Sequence, residues 1–126
     1  YDGAIAPSLE EIRQLLHKNE QTVNTIISFG QFLDILPIRA SKGYAVRWLS
    51  QQWNIPLEQV FIAGGSGADE DMMRGNTLSV VVANRHHEEL SNLGEIEPIY
   101  FSEQRYAAGI LDGLAHYQFF ELLDRV

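Results

Sequence analysis

Two short apolar runs constrain this chain more than any other feature. Val60-Phe61-Ile62-Ala63 and Leu78-Ser79-Val80-Val81-Val82-Ala83 offer almost no polar side chain to water. Such runs, without alternation, mark strands buried on both faces, the pattern of a parallel sheet covered by helices. The first passes straight into Gly64-Gly65-Ser66-Gly67, and a short helix is predicted over residues 68–74. Ile99-Tyr100-Phe101 reads as a third, shorter strand. Helical patterns are predicted over residues 41–53, around residues 87–90 and over residues 104–123. In the first of these Tyr44, Val46, Leu49 and Trp53 are apolar, and Asn54-Ile55-Pro56 stops it. In the last, Ile110, Leu111, Leu114 and Tyr117 form the expected core stripe. Helices alternating with buried strands from Ser41 onward predict an α/β fold, with neighbouring parallel strands and helices on both faces.

The first 36 residues follow another pattern. Ser8 with Glu11 three residues on is a capping box, Leu9, Ile12, Leu15 and Leu16 fall on one helical face, and Asn19 is the stop. Residues 25–29 and 32–36 are β-rich and flank Gly30-Gln31, so they read as a hairpin, which Pro37 ends.

Composition narrows the function. The 126 residues suffice for one domain's core. Seventeen acidic against nine basic residues give a net charge of −8, which repels phosphate backbones and anionic bilayers; neither nucleic acid nor membrane is an expected partner. With no cysteine there is no disulfide framework, thiolate metal site or cysteine nucleophile, in keeping with a cytoplasmic location. No apolar run approaches the roughly 18 residues of a membrane span.

Ligands of open α/β sheets gather where strands end and helix N-termini present free N–H groups. Residues 63–71 lie at such a place. The glycines admit a ligand close to the backbone, and Asp69 and Asp71 could face a cation; the alternative is a tight turn whose acidic residues favour a helix N-terminus. The segment fits neither common phosphate-loop template. Lys42, at the start of a helix, opposes the helix dipole, which suits a lysine near a reacting phosphate as well as a solvated one. The run His86-His87-Glu88-Glu89 cannot converge on one metal ion, because adjacent helical residues diverge. Tyr117, Phe119 and Phe120 read as core, or as an interface where exposed.

Taken in order, Leu33-Asp34-Ile35-Leu36-Pro37, Ser41-Lys42-Gly43, Pro56 with Val60, and Gly64-x-Ser66-Gly67-x-Asp69-Glu70-Asp71-Met72 resemble the haloacid dehalogenase-like phosphatases. Within them the chain is most similar to the sucrose-phosphate phosphatase branch, and there to the phosphatase-like C-terminal domain of bacterial sucrose-phosphate synthases. The resemblance implies that residues 1–36 are the remnant of an α+β cap module and residues 37–126 the C-terminal part of the parallel-sheet core. It implies that Lys42 is the third-motif lysine, contacting phosphate together with Ser66, and that Asp69 is a carboxylate of the magnesium motif. Gly65 stands where that motif has its first Asp, and Ala68 where an Asn is usual. The family's first motif, an Asp-x-Asp that supplies the nucleophile, has no match, nor has the second.

The preferred reading is therefore a non-catalytic, phosphatase-like domain that serves folding, docking or regulation of the glycosyltransferase part of the same parent chain, with a degenerate magnesium site. The alternative is part of an active magnesium-dependent sucrose-6-phosphate phosphatase. A third, outside the family, is a small receiver-like module, which requires a strand-end carboxylate pocket near the N-terminus. A sugar phosphate is the implied ligand. A missing neighbour beside residues 60–63 would leave an open strand edge able to self-associate.

Overall fold

The structure is a computed structural model and describes residues 1–86, 90, 93, 94 and 99–123. Helix α1 (Leu9–Lys18) begins at the capping box: Glu11 N donates to Ser8 Oγ at 3.2 Å, and Ser8 N to Glu11 Oε2 at 2.7 Å. Leu9, Ile12 and Leu16 are half-buried, whereas Leu15 is exposed and lies off the packed stripe. Strands β1 (Val23–Ser28) and β2 (Phe32–Pro37) pair antiparallel, with Ser28 opposite Phe32, and form a sheet of their own.

Helix α2 (Lys42–Trp53) follows, capped by Ser41, whose Oγ accepts from Tyr44 N, and closed by Asn54 in left-handed backbone. Strands β3 (Phe61–Gly64), β4 (Leu78–Val81) and β5 (Ile99–Phe101) make a parallel sheet in that spatial order. Between β3 and β4 lie a tight 3₁₀ turn (Gly67–Asp69) and α3 (Glu70–Met73). Helix α4 (Tyr106–His116) and α5 (Phe119–Leu123) close the chain. The single helix expected over residues 104–123 is thus two, broken where Gln118 has φ 51°. The helix expected around residues 87–90 lies mostly outside the described residues.

The pleat sorts the sheet's side chains onto two covered faces. On one, Ile62 and Val81 join Met73, Leu90 and Leu93, and Val46 of α2 packs against them. Tyr44, Leu49 and Trp53 of α2 are exposed, so that helix offers the core a narrower stripe than its sequence predicts. On the other face, α4 rides on β4 through Gly109 and Gly113, its two buried residues, while Ile110 and Leu111 are exposed. The expected apolar stripe is in this respect displaced by glycine. A Cβ on Gly113 would stand 2.6 Å from Val80 Cβ, and one on Gly109 2.7 Å from Val82 Cγ1, so only hydrogen lets the helix lie this close. Phe61 packs on Tyr117 and Phe119, with Tyr117 donating to Ser79 O at 2.8 Å, and Phe120 is exposed. Of the two central runs only β4 is thoroughly buried; in β3 Ile62 alone is.

The close approach of α4 is testable. Gly113→Ala should destabilise the chain by up to about 2 kcal/mol: overpacking costs ~1–3 kcal/mol, and alanine's better helix propensity returns ~1 kcal/mol. Urea unfolding measures this; a gain in stability would mean that the glycine face is not a packing requirement.

Candidate functional site

Strand β3 ends at Gly64, and the next five residues fold back on themselves around one carboxylate. Asp69 Oδ2 accepts from Gly65 N at 2.9 Å, from Ser66 N at 3.2 Å and from Ser66 Oγ at 3.4 Å. Asp69 Oδ1 receives Lys42 Nζ, from the first residue of α2, at 2.7 Å. Gly64 makes room for this: a Cβ there would lie 2.6 Å from Asp69 Cγ. Asp71, two residues on, points elsewhere. Its Oδ2 accepts from Gly43 N at 3.0 Å, and Arg47 Nη2 stands 3.8 Å from its Oδ1.

The carboxylates thus satisfy free N–H groups, one set in their own turn and one at the start of α2. The Lys42 charge, unfavourable beside that helix start, is neutralised by Asp69. The Asp69 side chain is 14% exposed and that of Lys42 54%. Burial is the largest single influence on the Asp69 carboxyl and opposes its charge. The Lys42 ammonium and the Gly65 and Ser66 amides together outweigh burial and hold the carboxyl below the ordinary aspartate range.

The sequence-predicted site residues Lys42, Ser66 and Asp69 therefore meet in space, with Ser66 buried beneath the turn. Magnesium demands a near-octahedral shell of oxygens. Gly65 and Ala68 offer no side-chain oxygen, and both oxygens of Asp69 already receive donors. Among the described residues no three His, Cys, Asp or Glu side chains are grouped to hold a metal. These residues do not by themselves fit the ion. A Cβ on Gly65 would lie 3.2 Å from Val82 Cγ2 and 3.6 Å from Arg85 Cα, so an aspartate there fits only if Val82 yields by a few tenths of an ångström. Of the expected histidine and glutamate run only His86 is described; its N–H donates to Gly65 O at 2.8 Å and fixes the loop from the far side.

A cavity of about 220 Å³ opens at the ends of β3 and β4. Gly64, Gly65 and Ser66 line it, together with the polar Asp69 and Asn84 and the apolar Phe29, Tyr106 and Ile110. Asn84, Phe29 and Tyr106 escape sequence reasoning. Asn84 could have been found from its place just beyond a parallel strand's carboxyl end, where ligands collect. A larger hollow, about 470 Å³, lies between α1 and β1 against Arg13, His17 and Asn24 and includes no residue of the loop.

Asp69→Asn should lower stability by about 1.5–3 kcal/mol near neutral pH, the loss expected for hydrogen bonds to a charged group. Because the folded carboxyl titrates below its unfolded value, its contribution is complete above the ordinary aspartate range and is lost as pH falls through the depressed value. Urea midpoints of both proteins should therefore converge on acidification. A difference independent of pH would show that the carboxylate's charge is not what holds the turn.

Comparison with known proteins gives the family. The model of the sucrose-6F-phosphate phosphohydrolase family matches residues 1–118. Mannosylfructose-phosphate phosphatase of Agrobacterium fabrum is 32% identical over 115 residues, 90% of this chain and 46% of that protein. A probable sucrose-phosphate synthase of Arabidopsis thaliana is 30% identical over 71 residues, 56% of this chain and 7% of that protein. The structure of the sucrose-phosphatase of Synechocystis sp. PCC6803, solved with sucrose and phosphate, superposes with a TM-score of 0.82 at 27% identity, covering 87% of this chain and 46% of that one. The chain thus spans about half the length of these two phosphatases and a small part of the synthase. No helix among the described residues is long and apolar enough to cross a membrane. A family match over nearly the whole chain and a shared fold lead to one conclusion: the chain belongs to the sucrose-6F-phosphate phosphohydrolase family, within the haloacid dehalogenase-like superfamily.

Proposed function

We propose that this chain is a phosphatase-like domain that binds a sugar phosphate at the turn after β3 without hydrolysing it. It would serve the folding, docking or regulation of the glycosyltransferase part of a cytoplasmic sucrose-phosphate synthase. The engagement of Asp69 carries the reading: its two oxygens hold Lys42 and the Gly65 and Ser66 amides, and Gly65 supplies no second carboxylate. Covalent phosphoryl transfer further needs a nucleophile, and the only Asp-x-Asp here, Asp69 with Asp71, is occupied in the turn and at α2. For an anion the loop offers Lys42, half exposed and shared with Asp69, with Ser66 beneath it. The match to a stretch of a plant protein named as a probable sucrose-phosphate synthase supports the parent assigned here. Among the described residues β3 pairs only with β4, so its other edge suits a strand of the parent chain, or of a second copy.

The Lys42–Asp69 contact favours a second reading, part of an active magnesium-dependent sucrose-6-phosphate phosphatase, since the resemblance assigns both residues to that chemistry. Phosphate release from sucrose 6-phosphate in the presence of magnesium separates the two. We expect none from this chain or from its parent, and none from the parent's Gly65→Asp variant unless an Asp-x-Asp precedes it. Release by the parent that Lys42→Ala abolishes would establish the phosphatase instead.

A further inference from the structure

The hollow between α1 and β1, about 470 Å³, shares no residue with the turn after β3. Its lining contains no acidic side chain, although seventeen of the 126 residues are acidic. Two basic side chains line it instead, Arg13 and His17, one helical turn apart on the same face of α1. Arg13 is held in place: its Nε donates to Thr25 Oγ1 of β1 at 2.8 Å, so the guanidinium ties the helix to the strand. Among the described residues no carboxylate pairs with Arg13, whereas Arg47 stands by Asp71 and Arg74 by Glu70. His17 lies in the last turn of α1, where the free carbonyls favour a basic residue; Arg13, a turn earlier, gains little from them. A positioned guanidinium with no carboxylate beside it, in a chain of net charge −8, points to an anion supplied from outside.

The chemistry of the hollow sets the class of ligand. With Nε engaged by Thr25, the two Nη groups remain as a planar fork, which matches the paired oxygens of a carboxylate or a phosphate. His17 adds a ring N–H, and Leu16 and Val23 offer apolar contact to a carbon frame. At about 470 Å³ the space falls within the ~300–1,000 Å³ of small-molecule sites and holds more than a bare ion. The chain's net negative charge does not forbid this, because exposed charges more than about 8 Å apart are largely screened at physiological ionic strength, and contact pairs decide. We propose that Arg13, positioned by Thr25, and His17 bind the phosphate or carboxylate head of a small organic anion between α1 and β1. This site is separate from the turn after β3 and does not depend on the sugar-phosphate reading.

The test titrates the isotopically labelled full chain with inorganic phosphate and, separately, with succinate at constant ionic strength. It follows the Arg13 Nε–H and the His17 ring resonances, and in the variants His17 alone. At least one probe should shift both resonances saturably at millimolar concentrations; which of the two does so identifies the head group. Arg13→Gln should weaken this binding about tenfold, and Arg13→Lys, which keeps the charge but not the fork, about threefold. Lys42→Ala should leave it unchanged. No saturable shift with either probe would overturn the site. So would undiminished affinity in Arg13→Gln, or in Arg13→Lys where amide dispersion shows that only the lysine variant folds. Phosphate shifts confined to Gly65 and Ser66, and abolished by Lys42→Ala, would place the anion at the turn after β3 and overturn the site as well.

Discussion

The carboxylate of Asp69 is the constraint on which the working end of this fold depends. The turn after β3 leaves the amides of Gly65 and Ser66 pointing inward, where an unpartnered N–H costs roughly 1–3 kcal/mol. Asp69 accepts both, and its second oxygen draws Lys42 from α2 onto the same turn. Asp71 repeats the device one step further along by accepting from Gly43 N, so one short acidic segment fastens strand β3, α3 and the start of α2 together. Gly64 and Gly43 are glycines for a steric reason: a Cβ on either would run into the carboxylate that approaches it. The arrangement that makes the turn rigid also engages both oxygens of the Asp69 carboxylate with donors.

The rest of the core delivers that turn to the surface. Strand β4 is the central member of its sheet, with Val81 in the apolar cluster on one face and Val80 beneath α4 on the other. On the far side, Asp112 of α4 accepts from Tyr100 and Ser102, at 3.0 and 2.6 Å, and His116 stacks on Tyr100, which ties β5 to α4. Hydrogen bonds from Ser102 and Tyr100 hold Asp112 below its ordinary range, and the bond to Asp112 raises the Tyr100 phenol. The same helix carries Tyr106 at its first turn, over the cavity at the ends of β3 and β4.

Local signals in the sequence gave a faithful account of local structure. The capping box at Ser8 and Glu11, the hairpin about Gly30, the start of α2 at Ser41 and the parallel strands all depend on neighbours a few residues apart, or on a run of one polarity. What the pattern could not reveal was decided across the fold. Apolar periodicity assigns Ile110 and Leu111 to the core, yet burial depends on which element arrives opposite, and α4 meets β4 through Gly109 and Gly113. Asp71 reads as a companion of its own helix but serves the start of α2, 28 residues earlier. Motif order brought Lys42, Ser66 and Asp69 into one site, whereas Phe29 and Asn84 are distant in sequence and reach the cavity only through tertiary packing.

The account holds that Asp69 is a structural anchor of the turn and not a magnesium ligand in this chain. Magnesium titration of the isotopically labelled chain, following the Asp69 carboxyl carbon with the Gly65 and Ser66 amide resonances, addresses this directly. The account predicts that these signals do not move through millimolar magnesium, since the carboxylate keeps its N–H and ammonium partners. A saturable shift of the Asp69 carboxyl, accompanied by release of the Gly65 and Ser66 amides, would contradict it.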